Sequence, residues 1–221
     1  MHIAHCTRTQ IVRAMRPTRA CAEVGVLRGD FSAQILDAVD PSMLYLVDPW
    51  WHDDDPDYAD DPANVAQPDM DEAHRFVRAR FTGQGHRVTV VRCASPDAAS
   101  GFASESLDWV FLDAKHTTRA VVRDLLAWER TVRPDGAIIC HDYIDGAEAT
   151  ALRFGVVEAV LWFCRSHGWR IAVRTDEKYS TIVLVGPRPG PARLSAARIL
   201  RALRRERVTI TEVDEARGLV V

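Results

Sequence analysis

Apolar positions along the chain fall into short runs of strand length that alternate with longer stretches of helical period. The strand runs are ACAEVGV (20–26), MLYLVDP (43–49), RVTVVRC (87–93), LDWVFLDA (107–114), GAIICHDY (136–143), WRIAVRT (169–175) and YSTIVLVG (179–186). Between them the periodicity predicts helices over 30–39, 71–82, 96–103, 117–131 and 149–167. Such alternation implies a doubly wound α/β fold, with seven strands in a mostly parallel sheet covered on both faces. No helix separates the last two strands, so they are expected to form an antiparallel edge hairpin. Arg133-Pro134-Asp135-Gly136 reads as a turn ahead of a strand, and Gly168 as a helix stop.

Three stretches lie outside this alternation. Residues 1–19 read as an N-terminal helix ending near Pro17, ahead of a main domain over 20–186. Residues 50–70, WWHDDDPDYADDPANVAQPDM, are too acidic and proline-rich for a core element and predict a long loop. That loop is either a lid presenting Trp50, Trp51 and Tyr58 to a substrate, or a solvated acidic surface. Residues 188–221 give a linker and a basic amphipathic helix with Ala196, Ile199, Leu200 and Leu203 on one face. This face suits either the chain's own core or a second copy in a homo-oligomer.

Composition narrows the class. With 221 residues, 47% of them hydrophobic, the chain can bury one substantial core. A net charge of -3 creates no field to recruit nucleic acid or an anionic membrane, which leaves a small molecule as the expected partner. No apolar run approaches the roughly 18 to 20 residues of a membrane span. His2, His5 and Arg8 interrupt the stretch where a secretory signal would stand. The five cysteines are scattered, without CxxC spacing, and read as buried thiols in a reducing, cytoplasmic setting. Trp128, Trp162 and Phe163 are expected in the core, and Lys115 in solvent.

Candidate chemistry gathers at strand ends, where open α/β sheets bind ligands. EVGVLRGDFS carries Glu23, Gly25 and Gly29 from the first strand into a helix, and glycines there allow close approach of a ligand. The spacing is GxxxG rather than the GxGxxG of dinucleotide sites, so a plain strand-to-helix turn remains an equal reading. Asp48, 23 residues after Gly25, stands where an acid accepts from ribose hydroxyls, or caps a helix. Ser95 suits a helix cap or an adenine edge. Asp113 and Asp142 end neighbouring strands, and two carboxylates brought together repel unless a cation or shared proton lies between them. A divalent metal answers this most simply. His116, one turn beyond Asp113, can take a proton near neutral pH.

The motifs AEVGVLRGDFS, LYLVDPW, CASPD, LDWVFLDAKH and RPDGAIICHDY, spread over residues 20 to 186, resemble the class I S-adenosylmethionine-dependent methyltransferases. Within these the chain is similar to the small metal-dependent O-methyltransferases of macrolide sugars and related natural products. The resemblance implies a Rossmann-like sheet with S-adenosylmethionine against Glu23, Gly25 and Gly29, its ribose on Asp48 and its adenine near Ser95. It further implies magnesium held by Asp113 and the pair His141 and Asp142, with His116 as catalytic base. His141 departs from the pattern, since those enzymes tend to carry a carboxylate there. An imidazole ligand favours manganese, iron or zinc over magnesium. Rival readings are a methyltransferase using His116 or His141 without metal, an oxidoreductase on the same sheet, and a non-catalytic binding protein.

Overall fold

The computed structural model describes residues 1–59, 61–187, 196–214 and 219–220. Five parallel strands form one half of the sheet, with β4 at its edge: β2 (Ala20–Val24), β3 (Met43–Asp48), β4 (Val88–Arg92), β5 (Leu107–Leu112) and β6 (Val132–Cys140). Beyond β6 come β7 (Arg170–Thr175) and β8 (Ile182–Val185), and the sheet is extended by β1 (His2–Ala4), β9 (Ile210–Asp214) and β10 (Leu219–Val220). Among the described residues the order is β10-β9-β1-β7-β8-β6-β5-β2-β3-β4. β8 is antiparallel to both β6 and β7.

The helices are α1 (Arg8–Arg13), α2 (Asp30–Val39), α3 (Gln67–Arg80), α4 (Ser95–Ser100), α5 (Thr118–Glu129), α6 (Gly146–Ala151), α7 (Val156–His167) and α8 (Ala196–Arg205). Along β5 from Trp109, period-two alternation divides the side chains between two layers: Trp109 and Phe111 enter the layer shared with α1, α2, α3 and α8, and Val110 and Leu112 the layer shared with α4, α5 and α7, which Leu107 also joins because the register shifts between Leu107 and Trp109. Each such fully buried side chain contributes about 1.5 to 3 kcal/mol. With both faces covered, the open rim at the strands' carboxyl ends is left for chemistry.

The expected seven strands are present, with differences at the margins. The β7–β8 hairpin is not an edge, because β1 pairs parallel with β7 and β9 pairs antiparallel with β1. The N-terminal segment is thus a strand followed by a two-turn helix, and three residues, HIA, are too few to show an alternating pattern. The helix expected over 149–167 is two helices, broken before Gly155, where a Cβ would lie 1.9 Å from Thr118 Oγ1 and 2.6 Å from the Thr118 amide. β6 begins at Val132, through the expected turn, and the β5–β6 register shifts between Leu107 and Trp109. α3 starts at Gln67 with a proline in its first turn, which shortens the acidic loop.

Ile199, Leu200 and Leu203 of α8 are buried against the chain's own sheet layer, with Ala196 packed beside them, and Arg201, Arg204 and Arg205 are exposed. Residues 188–195, which hold the expected linker and Arg193, lie outside the described residues. Trp128 and Phe163 are fully buried, but Trp162 is 44% exposed and is not a core residue. Cys6, Cys21 and Cys140 are buried free thiols. Among the described residues no helix is long and apolar enough to cross a membrane.

Candidate active site

A cavity of about 700 Å³ opens at the carboxyl ends of β2, β3 and β5. Of the residues expected to touch cofactor, Glu23, Gly25, Asp48 and Ser95 line it; Gly29 does not. Gly25, at φ +91, lies against the start of the segment after β5, where a Cβ would be 1.8 Å from the Asp113 carbonyl oxygen. Its lack of a side chain is therefore demanded by the protein's own backbone as well as by any ligand. Gly29, at φ +72, caps the start of α2, with Phe81 where a Cβ would point.

The polar groups of this half are held by the protein. Buried Glu23 accepts from the Ser32 hydroxyl, and burial pushes its carboxyl up to about 8. Asp48 Oδ2 accepts from the amides of Val26 (2.8 Å) and Leu27 (2.9 Å), and Oδ1 from that of Trp50 (2.7 Å). Burial raises its pKa in spite of these bonds. A carboxylate offers about four acceptor positions, so Oδ1 retains one beyond the Trp50 amide. Ser95 is the first residue of α4 rather than its cap; it accepts from Trp128 Nε1 (2.9 Å) and bonds to Asp124. Buried Asp124, which the sequence reading did not single out, also lines the cavity, and burial pushes it up to about 7.

The second half lies at the same rim. β5 and β6 are parallel neighbours, paired from Trp109↔Ala137 to Leu112↔Cys140, so Asp113 and Asp142 emerge side by side. β6 stops at Cys140, and Asp142 lies just beyond it in the left-handed region, at φ +55. Asp113, His141 and Asp142 bring one ligand atom each within 4.8 Å of one another. His116 Nε2 lies 2.9 Å from Asp142 Oδ2 and 3.5 Å from Asp113 Oδ1, while Nδ1 is 3.3 Å from Asp61 Oδ2. His141 Nδ1 lies 3.0 Å from Thr181 Oγ1, and its Nε2 is 3.5 Å from Asp142 Oδ1.

Electrostatics follow from this crowding. Burial alone would lower the His116 pKa, yet its bonds to Asp113, Asp142 and Asp61 outweigh burial and raise it well above the ordinary value. For Asp113 burial acts upward, and it is outweighed by His116, His141 and Arg8, which hold the carboxyl below its usual range. Arg8 was missed from sequence: its guanidinium stacks 4.3 Å over the Phe31 ring and donates to Asp113 Oδ2 at 3.1 Å. One arginine in a polar N-terminal segment carries no local signal of such a role.

The acidic loop is tied to this half. Lys115 is not a solvated side chain: Nζ bonds Asp53 (3.0 Å) and Asp55 (2.6 Å) and lies 5.0 Å from the centre of the Tyr58 ring. Arg153 bonds the Pro56 carbonyl and Asp57. Trp50 is fully buried, its Nε1 donating to Leu27 O, so it faces the core; Trp51 and Tyr58 line the cavity.

The methyltransferase domain family matches residues 22–143, more than half of the chain. Among solved structures, a Corynebacterium glutamicum protein is 17% identical, with a TM-score of 0.56, over 83% of this chain and 82% of that one. A Staphylococcus aureus protein described as a caffeoyl-CoA O-methyltransferase is 10% identical, at 0.56, over 80% of each chain. An O-methyltransferase from Bacillus cereus, in complex with S-adenosylhomocysteine, is 14% identical, at 0.54, over 80% of this chain and 78% of that one. Among curated proteins none matches the chain. At these identities the neighbours establish the shared fold, while the match over 22–143 takes in Glu23, Gly25, Asp48, Asp113 and Asp142. The chain therefore belongs to the methyltransferase domain family, as a class I S-adenosylmethionine-dependent methyltransferase.

Proposed function

We propose that the protein transfers a methyl group from S-adenosylmethionine to a hydroxyl of a small molecule bearing paired oxygens, such as a sugar or another natural product. In this reading Asp113, Asp142 and His141 hold a divalent cation, and His116 is the general base. The observation that carries it is the convergence of Asp113, His141 and Asp142 on one point beside His116.

The donor set fits a cation. Two carboxylates and an imidazole meet, and Thr181 at Nδ1 of His141 leaves Nε2 toward the site, as an outer partner does for a ligating histidine. Such a mixed set suits manganese, iron or zinc as well as magnesium. A cation bound there supplies positive charge that makes a nearby substrate hydroxyl more acidic.

The chain's own groups do the rest. Glu23, Gly25 and Asp48 shape the cofactor half, and Ser95 and Asp124 line the same cavity. Trp51 and Tyr58 offer flat apolar surface to the acceptor. With a cation offsetting the charge of Asp113 and Asp142, the ring would lose the second proton that these carboxylates hold on it, and His116 Nε2 then takes the proton as the acceptor oxygen attacks the sulfonium methyl. Positioning two reactants is worth about 7 to 11 kcal/mol, against roughly 10² to 10⁴ in rate for a base, so orientation is the larger contribution.

The test combines calorimetry with S-adenosylhomocysteine and manganese, and transfer of labelled methyl to a panel of catechols and vicinal-diol glycosides. Asp142→Asn is expected to abolish manganese binding and turnover. His116→Ala is expected to slow turnover by about 10²-fold or more, with the S-adenosylhomocysteine Kd within about twofold. Weakened cofactor binding with normal turnover would place His116 in the wrong half. A metal-free methyltransferase is the second reading, favoured by the Arg8–Asp113 ion pair, which already places a cation on one of the two acids. Full turnover in excess chelator would establish it.

A further inference from the structure

Asp61 belongs to the acidic loop, and nothing in the run DDDPDYADDP distinguishes it from its neighbours. The tertiary structure does. Its side chain is 6% exposed, whereas those of Asp54 and Asp57 stand in solvent. Its Oδ1 accepts from the Ala63 amide at 2.8 Å, which turns Oδ2 toward Nδ1 of His116. The surrounding backbone is braced by buried Asn64, whose Oδ1 accepts from the Asp53 amide and whose Nδ2 donates to the carbonyls of Asp53 and Tyr58. The loop is held on either side of His116, by Lys115 next to it and by Arg153, whose neighbour Phe154 packs on the His116 ring at 4.3 Å between centroids.

Taking His116 as the base, as in the function proposed above, we propose that Asp61 is its positioning residue: the carboxylate accepts the Nδ1 proton and so leaves Nε2 directed at Asp113, Asp142 and the acceptor oxygen. An imidazole has two inequivalent nitrogens, and the bond made by one decides which is free to act. Asp61 supplies that bond from 55 residues away in sequence. The acidic loop is thereby part of the base as well as a wall of the acceptor site.

The Ala63 amide gives a discriminating substitution. It requires an acceptor at Oδ1, so Asp61→Asn would turn an NH₂ group toward Nδ1 and favour the opposite tautomer. The experiment is long-range 1H–15N NMR of protein labelled with 15N-histidine, in the presence of S-adenosylhomocysteine and magnesium, with His116→Ala locating the signal. Magnesium on Asp113 and Asp142 offsets the charge that otherwise holds a second proton on the ring, so in its presence wild type is expected to carry a single ring proton, on Nδ1, and Asp61→Asn to move it to Nε2. A wild-type ring protonated on Nε2, or a ring state that Asp61→Asn leaves unchanged, overturns the assignment. Should Asp61→Asn not fold, the wild-type spectrum decides by itself. On whichever diol probe turns over, Asp61→Asn is expected to lower kcat by about 10²-fold while leaving the cofactor Kd within about twofold. It is expected to add nothing in a His116→Ala background. Additive losses overturn the role of Asp61 alone, whereas a His116→Ala protein with full turnover overturns the underlying assignment of the base.

Discussion

The half of the cavity proposed to take the cofactor and the half around His116 are built differently. In the first, each polar group already has a partner that fixes it: Glu23 has Ser32, Asp48 has three backbone amides, and Ser95 has Trp128 and Asp124. In the second, three carboxylates crowd one imidazole, and the partners come from distant parts of the chain: Arg8 from α1, Asp61 from the acidic loop, and Asp142 from beyond β6. A shape that every substrate pairing shares can be set by local backbone. A reactive centre needs like charges held together against their repulsion, which only a surrounding fold can do.

The two halves touch at Gly25, so Gly25→Ala is the sharpest way to break the contrast. A Cβ there meets the Asp113 carbonyl in a left-handed conformation, and the cost is expected to reach about 3 kcal/mol or more. Thermal unfolding and S-adenosylhomocysteine calorimetry should show a lowered Tm and no measurable binding. Wild-type affinity in that variant would mean that the halves are not joined through this glycine.

Glu23 gives the next largest effect. Burial lifts its carboxyl from the usual 4.5 to about 8, so the folded protein keeps a proton that the unfolded chain releases. Between those values the folded state binds more protons, and stability declines as pH rises, by at most about 1.4 kcal/mol per pH unit from this group. Glu23→Gln removes that contribution. The Tm advantage of the variant over wild type should grow from pH 5 to pH 8, and a constant difference would mean that Glu23 is ionised in the fold.

The smallest effect concerns the loop anchor. Lys115 and its two aspartates are partly solvated, so Lys115→Met is expected to change stability by at most about 1 kcal/mol. Acceptor KM should rise severalfold, with the cofactor Kd unchanged. An unaltered KM would show that the loop holds its place without this pair.

What could be read from residue order is what depends on neighbours along the chain. Apolar runs of strand length such as 107–112, set between stretches of helical period, marked seven strands, and strand-to-strand spacing placed Asp113 beside Asp142, because parallel neighbours deliver their ends to one rim. The three-residue strand at His2–Ala4, the break before Gly155 and the burial of Trp50 were settled by contacts remote in sequence. The same holds for the site. Asp113, His116 and Asp142 could be named from their positions after apolar runs, whereas Arg8, Asp61 and Asp124 could not. Asp61 and Asp124 stand near other charged residues and Arg8 in a polar stretch, and only folding decides which group is withdrawn from water and against what. Burial without a partner is costly for such groups, so the few that the fold does enclose are held by specific bonds, and those bonds exist only in three dimensions.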